Sequence, residues 1–325
     1  MDPFYVAVNA VILAAFLVLL DRSSYAVITG ATDISRSTKI RYSSIGFIFV
    51  ALSTSLPEAS VALFAAIEGA AGLAIGNILG SNIANVCLIV GLPVLYGCLS
   101  KTRTAECRLN LPEQEFSSLF FGLFISSVLP LFLVRSTKYV PFIGVALIAM
   151  FVIYSYHLSK SRIQIDSSND LAGRVKGVLI KGITWTIAGV ILSGYAIVLS
   201  ASNLAAAFSL SGTFIGATII AVGTSLPELA ISWKSIQKNR IDFALANAIG
   251  SCFANLTIIL GLFFTFSRIA IRIDAYFDLV FFSLVSNLFL WYFLSRNRLG
   301  PKESGVLIMI YVIFLVEFVG LFTLF

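Results

Sequence analysis

Histidine is nearly absent from this chain, with one residue, His157, in 325. It closes an apolar run beside Lys160 and Arg162, where an interfacial side chain is expected. Neither a histidine-based metal centre nor a histidine proton relay is therefore available. Charge is scarce as well. Asp, Glu, Lys and Arg make up 12% of the residues, about half the share found in soluble domains, so little of the chain can be soluble mass. The four cysteines, Cys87, Cys98, Cys107 and Cys252, contain no CxxC pair and read as small buried or loop thiols. No low-complexity segment stands out. The apolar run from Pro3 to Leu20 lacks a basic leader and a small-residue cleavage signal, so it reads as a first span and not a removed signal peptide.

What the chain has in excess is apolar sequence. Hydrophobic residues are 58% of the total and the mean hydropathy is +0.97. Many runs reach the roughly 20 residues that cross a bilayer. Ten spans fit, at about 3–20, 43–67, 72–98, 117–134, 139–158, 176–201, 212–235, 241–266, 274–294 and 304–324. The longest polar connection runs from Ser159 to Val175 and contains Asp166-Ser167-Ser168-Asn169-Asp170. The expected organisation is a five-helix half over 1–160, a cytoplasmic linker over 161–175 and a second five-helix half over 176–325.

The net charge of +6 follows from membrane topology and does not imply a nucleic-acid partner. Of the 22 Lys and Arg, only Arg135, Lys138, Arg268 and Arg272 fall after even-numbered spans. The other 18 cluster after odd-numbered spans. This bias puts the odd loops in the cytoplasm and both termini outside.

One stretch occurs twice. Thr54-Ser55-Leu56-Pro57-Glu58 is followed by Asn77-Ile78-Leu79-Gly80-Ser81-Asn82-Ile83-Ala84-Asn85. Thr224-Ser225-Leu226-Pro227-Glu228 is followed by Asn247-Ala248-Ile249-Gly250-Ser251-Cys252-Phe253-Ala254-Asn255. The copies align without a gap, and an odd number of spans separates them, so they run oppositely through the membrane. Inverted repeats that meet at mid-bilayer are a common transporter architecture. The fold expected is an all-α polytopic membrane protein of ten transmembrane helices arranged as two inverted five-helix repeats.

Proline lacks an N–H and clashes with the carbonyl four residues back. Pro57 thus frees the carbonyl of Ser53 and Pro227 that of Gly223, with Ala51 and Ala221 one turn away. Helical spacing places Ala51, Thr54, Ser55 and Glu58 on one face, and Ser81 with Asn85 on another. Ala221, Thr224, Ser225 and Glu228, then Ser251 and Asn255, repeat the pattern. Every donor is oxygen, the set preferred by hard cations such as Ca2+. Intramembrane ionisable residues are functional by default, and Glu58 and Glu228 form a symmetric pair. Gly76, Gly80, Gly91, Gly250 and Gly261 would allow close helix approach, and Asn9, Asn203 and Asn287 would tie helices together. Glu317 and Asp278 have no copies and read as a lumen-facing or paired carboxylate and a solvated helix end.

In these motifs the sequence resembles the cation/calcium exchanger superfamily, closest to its prokaryotic sodium/calcium exchanger-like branch. The resemblance implies a secondary active antiporter moving Ca2+ against Na+ or H+ by alternating access, with spans 1 and 6 as a sliding gate. It implies a mid-membrane ion site formed by Ala51, Thr54, Ser55, Glu58, Ser81, Asn85, Ala221, Thr224, Ser225, Glu228, Ser251 and Asn255. Three departures from the family pattern stand out. Ser53 replaces a usual glycine. Cys252 replaces a usual asparagine beside the ligand face, where a packing effect is expected. Asn85 and Asn255 are both amides where sodium/calcium members can carry an aspartate. No cofactor and no enzymatic activity are expected. The partners expected are membrane lipid and the transported cations Ca2+ and Na+ or H+, for a monomeric, multi-pass protein of the cell membrane. The alternatives are a proton-coupled or other divalent cation exchanger, a passive cation channel and an intramembrane enzyme.

Overall fold

Apolar segments in lipid must satisfy their own backbone N–H and C=O groups, and a helix does so within one segment. The computed structural model describes residues 3–36, 54–100, 120–129, 140–160, 175–238, 240–267 and 276–323. Among the described residues every long element is helical. In chain order these are α1 Pro3–Arg36, α2 Leu56–Ile67, α3 Ala71–Leu99 and α4 Phe120–Leu129, and α5 Val140–Lys160. Then follow α6 Val175–Phe208, α7a Gly212–Thr224, α7b Leu226–Gln237 and α8 Ile241–Phe266, α9 Phe277–Ser295 and α10 Pro301–Thr323.

Among the described residues three helices, α3, α8 and α9, are long and apolar enough to cross a membrane. The pair α7a and α7b, bent by 43°, makes a fourth when taken as one span. Residues 43–53 of the expected second span lie outside the described residues, as does most of the expected linker.

Two boundaries differ from expectation. The expected first span stops at residue 20, yet α1 continues to Arg36, and α6 reaches Phe208. The end of an apolar run is not a helix stop signal. No proline interrupts residues 21–36, so propagation continues into polar sequence. At 34 residues each, these helices are about 50 Å long against a hydrocarbon core of roughly 30 Å. Arg22, Arg36, Lys176 and Lys181 thus stand on helices, not in loops.

The two long helices pack against each other. Asn203 Nδ2 on α6 donates to Asn9 Oδ1 on α1 at 2.9 Å, while Asn9 Nδ2 donates to the Tyr5 carbonyl at 2.9 Å. The expected amide tie is therefore present for this pair. Replacing Asn9 or Asn203 by Ala should cost about 1 kcal/mol, with the double variant costing no more than either single. Thermal unfolding in detergent checks this, and fully additive losses would disprove the tie. Asn287, by contrast, is buried with neither amide atom bonded among the described residues.

The centre consists of α2, α3, α7 and α8. The α2–α3 hairpin turns at Gly69, whose φ of 73° favours glycine. Ala70 N then caps Ala65 O at 2.8 Å, and the bond recurs 170 positions later as Arg240 N to Ser235 O, also 2.8 Å. Helix starts keep the same offset, Leu56 against Leu226 and Ala71 against Ile241. The flanks also correspond, with α10 against α3 and α5 against α8.

Close backbone contact holds the centre together. A Cβ on Gly80 of α3 would stand 2.5 Å from the Ala217 carbonyl oxygen of α7a, and one on Gly261 of α8 2.8 Å from that of Gly144 in α5. Small residues let membrane helices meet at this distance. Large apolar side chains such as Phe142 and Phe4 point outward at 76% and 75% exposure, as lipid-facing surface requires.

Candidate functional site

Both glutamates of the repeat sit in the first turn after a helix break. Ser55 and Ser225 have near-identical non-helical angles, φ −83° ψ 9° and φ −88° ψ 7°. Each precedes a helix carrying proline in its first turn, where the missing N–H is harmless. The expected break is thus present in both copies. The Ala221 carbonyl stays engaged, accepting from Ser225 N at 3.2 Å and Ser81 Oγ at 3.4 Å. Ala51 and Ser53 lie outside the described residues.

The side chains interlock across the halves. Ser225 Oγ donates to Glu58 Oε1 at 3.1 Å and Ser55 Oγ to Glu228 Oε1 at 3.4 Å. This reciprocity requires a two-fold relation between the motifs. Ser251 Oγ adds a second donor to Glu228 Oε1 at 3.3 Å and lies 3.3 Å from Thr54 Oγ1. Thr54, Ser55, Glu58, Ser81, Asn85, Ala221, Thr224, Ser225, Glu228, Ser251 and Asn255 are all buried. Each lies on one of the four central helices or at the breaks preceding α2 and α7b.

Electrostatics sharpen the picture. Among the described residues no Lys, Arg or His side chain is buried. Two fully buried carboxyl groups therefore face each other's hydroxyl partners without a fixed counter-charge, an arrangement that is strongly unfavourable in the ionised form unless a bound cation or a proton neutralises it. Among the described residues Glu58 Oε2, Glu228 Oε2, Asn85 Oδ1, Asn247 Oδ1 and Asn255 Oδ1 are buried acceptors with no hydrogen-bond partner. This donor chemistry fits a hard cation carried as cargo.

Three polar residues matter that spacing alone left without a role. Asn77 Oδ1 accepts from Thr224 Oγ1 at 3.1 Å, and Asn247 Nδ2 donates to the Glu228 carbonyl at 3.3 Å. Asn82 Oδ1 accepts from Asn255 Nδ2 at 3.1 Å. Their signal was available, since Asn77 and Asn247 recur at the repeat offset one helical turn before Ser81 and Ser251. The π-helical segments had no such signal. They cover Asn85–Val90, Gly216–Ile220 and Asn255–Ile259, so two begin at the paired asparagines and one ends beside Ala221. Such segments often mark functional positions in helices.

Other expectations are corrected or left aside. Cys252 does more than pack, because its thiol donates to the Asn82 carbonyl at 3.7 Å. Cys87 and Cys252 are free and buried, but Cys98 is disulfide-bonded, a pairing that the cysteine spacing did not announce. Asp278 and Glu317 are exposed and outside the site.

Comparison with known proteins covers nearly the whole chain. The sequence profile of the family described as "Sodium/calcium exchanger protein" matches residues 8–160 and 178–320. The chain belongs to this family. The sodium/calcium exchanger MaX1 of Methanosarcina acetivorans is 30% identical over 96% of this chain and 98% of its own length. The putative antiporter CaxA of Alkalimonas amylolytica is 32% identical over 75% of this chain and 76% of its own. A solved structure of the sodium-calcium exchanger NCX_Mj superposes with a TM-score of 0.66 at 24% identity, covering 95% of this chain and 98% of that one. This last likeness is one of fold. Family membership and the apolar helices make the chain a multi-pass membrane protein of the exchanger type.

Proposed function

We propose that this protein is a secondary antiporter that exchanges Ca2+ for Na+ or H+ at a site between Glu58 and Glu228. The observation that carries the reading is the pair of buried, reciprocally hydrogen-bonded carboxylates with unpartnered oxygens and no buried basic residue among the described residues. Such a pair needs a cation in every state that crosses the membrane, which forbids return of the empty site and so enforces exchange. The name of MaX1, a sodium/calcium exchanger, supports this activity, and that of CaxA, a putative antiporter, supports antiport. The ligands proposed are Thr54, Ser55, Glu58, Ser81, Asn85, Thr224, Ser225, Glu228, Ser251 and Asn255 with the carbonyls of Ala51 and Ala221.

Ten spans in two inverted halves place this site at mid-membrane, with both termini outside. The long helices α1 and α6, paired to each other, are suited to slide past the four-helix centre and open the site to one side at a time. A single chain provides the whole site.

Charge balance sets the stoichiometry. Two carboxylates balance one Ca2+ or two monovalent cations, and the paired amides Asn85 and Asn255 add no further charge. Exchange in proteoliposomes should therefore be electroneutral. An imposed potential of about 100 mV, worth about 2.3 kcal/mol per charge moved, should change the initial rate of radiocalcium uptake by less than twofold. An Asn255→Asp variant adds a third carboxylate and should make uptake potential-dependent. A wild-type rate that follows the potential steeply would refute this stoichiometry. The absence of a third carboxylate equally favours H+ as counter-ion. Imposing an Na+ gradient and then a pH gradient on the same vesicles separates the two, and uptake driven by neither would remove the antiport reading.

A further inference from the structure

Between Ser81 and Asn85 and their copies, the two repeats differ in hydrogen-bonding chemistry at one buried position. Ser81-Asn82-Ile83-Ala84-Asn85 in α3 matches Ser251-Cys252-Phe253-Ala254-Asn255 in α8. Asn82 and Cys252 correspond, and both are fully buried at 0% exposure.

Their hydrogen bonds are not equivalent. Asn255 Nδ2 donates to Asn82 Oδ1 at 3.1 Å, which leaves Asn255 Oδ1 buried and unpartnered. A primary amide can turn either its oxygen or its NH2 group to a cation, and only the oxygen is a ligand. A bond that occupies the NH2 group selects the ligand orientation. The two-fold relation that links Ser55–Glu228 with Ser225–Glu58 would place the mirror bond between Asn85 Nδ2 and residue 252. A cysteine is shorter and its sulfur is a weak acceptor. This thiol directs its proton to the Asn82 backbone carbonyl at 3.7 Å. Among the described residues neither amide atom of Asn85 reaches a partner at hydrogen-bond distance, although the amide lies beside the Cys252 thiol, an acceptor too weak to hold it.

We propose that Asn82 is a positioning residue that holds the Asn255 carbonyl toward the transported cation, and that Cys252 leaves Asn85 without the matching hold. The two amides, equivalent by sequence repeat, then contribute unequally to cation affinity. The inference deepens the antiport reading and rests on it for the identity of the cation. Side chains that orient a ligand typically change metal affinity by about 10- to 100-fold when removed.

The test uses the full chain in proteoliposomes, with Ca2+-dependent thermal stabilisation of the detergent-purified protein as a second readout. Asn82→Cys, which copies the residue of the other repeat, should raise the half-saturating Ca2+ about tenfold and leave the maximal rate within about twofold. Asn255→Ala removes the ligand itself and should raise the half-saturating Ca2+ at least as much, and the double variant should be no worse in half-saturation than Asn255→Ala alone, because both act on one bonded unit. Cys252→Asn should restore the missing hold, lower the half-saturating Ca2+ about threefold and make Asn85→Ala as harmful as Asn255→Ala.

Unchanged half-saturation in Asn82→Cys, or full additivity with Asn255→Ala, would overturn the proposal. Should Asn82→Cys not fold, the Cys252→Asn background decides alone, and failure to sensitise Asn85→Ala there refutes it. Stabilisation by Ca2+ without exchange would remove the antiport reading while the same comparisons of affinity still stand. No response to Ca2+ in either assay would overturn both.

Discussion

Replacing Glu58 or Glu228 by glutamine is expected to lower counter-ion-driven radiocalcium uptake by at least about a hundredfold. Glutamine keeps the shape of the side chain and one oxygen able to accept from Ser225 or Ser55, whose bonds measure 3.1 and 3.4 Å. Packing is preserved and the charge is lost. Removing one partner of a buried ionic group typically costs about 3–5 kcal/mol, and each 1.4 kcal/mol is about tenfold in binding. The same change should leave the unfolding temperature in the absence of cations unaltered or raised, since a buried charge without fixed counter-charge is itself destabilising. The reciprocal bonding makes the two variants comparable in effect, although Glu228 also holds Ser251 at 3.3 Å. Uptake within fivefold of wild type for either variant would remove that glutamate from the site.

Gly80→Val is expected to abolish accumulation of folded protein. The first carbon of any side chain here would stand 2.5 Å from the Ala217 carbonyl oxygen and 2.6 Å from its Cα. Both are backbone atoms of α7a, so no rotamer change relieves the clash. Overpacking usually costs about 1–3 kcal/mol where side chains can shift, and a helix-to-helix backbone contact should exceed that range. The functional effect precedes unfolding. The same α3–α7a contact sets Asn77 against Thr224 at 3.1 Å and Ser81 against the Ala221 carbonyl at 3.4 Å. Gly80→Ala should therefore fold less stably and exchange more slowly. Gly305→Ala, where nothing lies within 4 Å of the added carbon, serves as the control. Size-exclusion profiles and uptake rates check both, and a monodisperse, active Gly80→Val protein would show that the helices do not need to touch.

The helix positions were legible because membrane burial writes itself as apolar runs, and the described helices fall where those runs lie. Their ends were less so. Hydropathy marks where lipid stops, whereas α1 remains helical through Arg36, well beyond the apolar run. The site was legible as residue types at helical spacing, since Pro57, Glu58 and their copies are unfavourable in lipid without a purpose. Asn9 and Asn203 could be read as amides that join helices, but nothing in their spacing names each other as partners.

What the sequence determined by itself is the duplicated oxygen-rich motif, the all-helical membrane class and the family. Local rules suffice for these, because a proline breaks a helix and a glutamate ionises wherever the chain folds. What only the tertiary structure decided is which copy serves which. Ser225 binds Glu58 and Ser55 binds Glu228, so each half completes the other's carboxylate. The roles of Asn77, Asn82 and Asn247, the π-helical segments and the inequality of Asn85 and Asn255 depend on it equally. Asn77 and Asn82 act through contacts more than a hundred residues apart in sequence, Asn247 through one across the turn between α7b and α8, and the π-helical segments through small changes in helical winding, so the repeat marks positions without naming their partners.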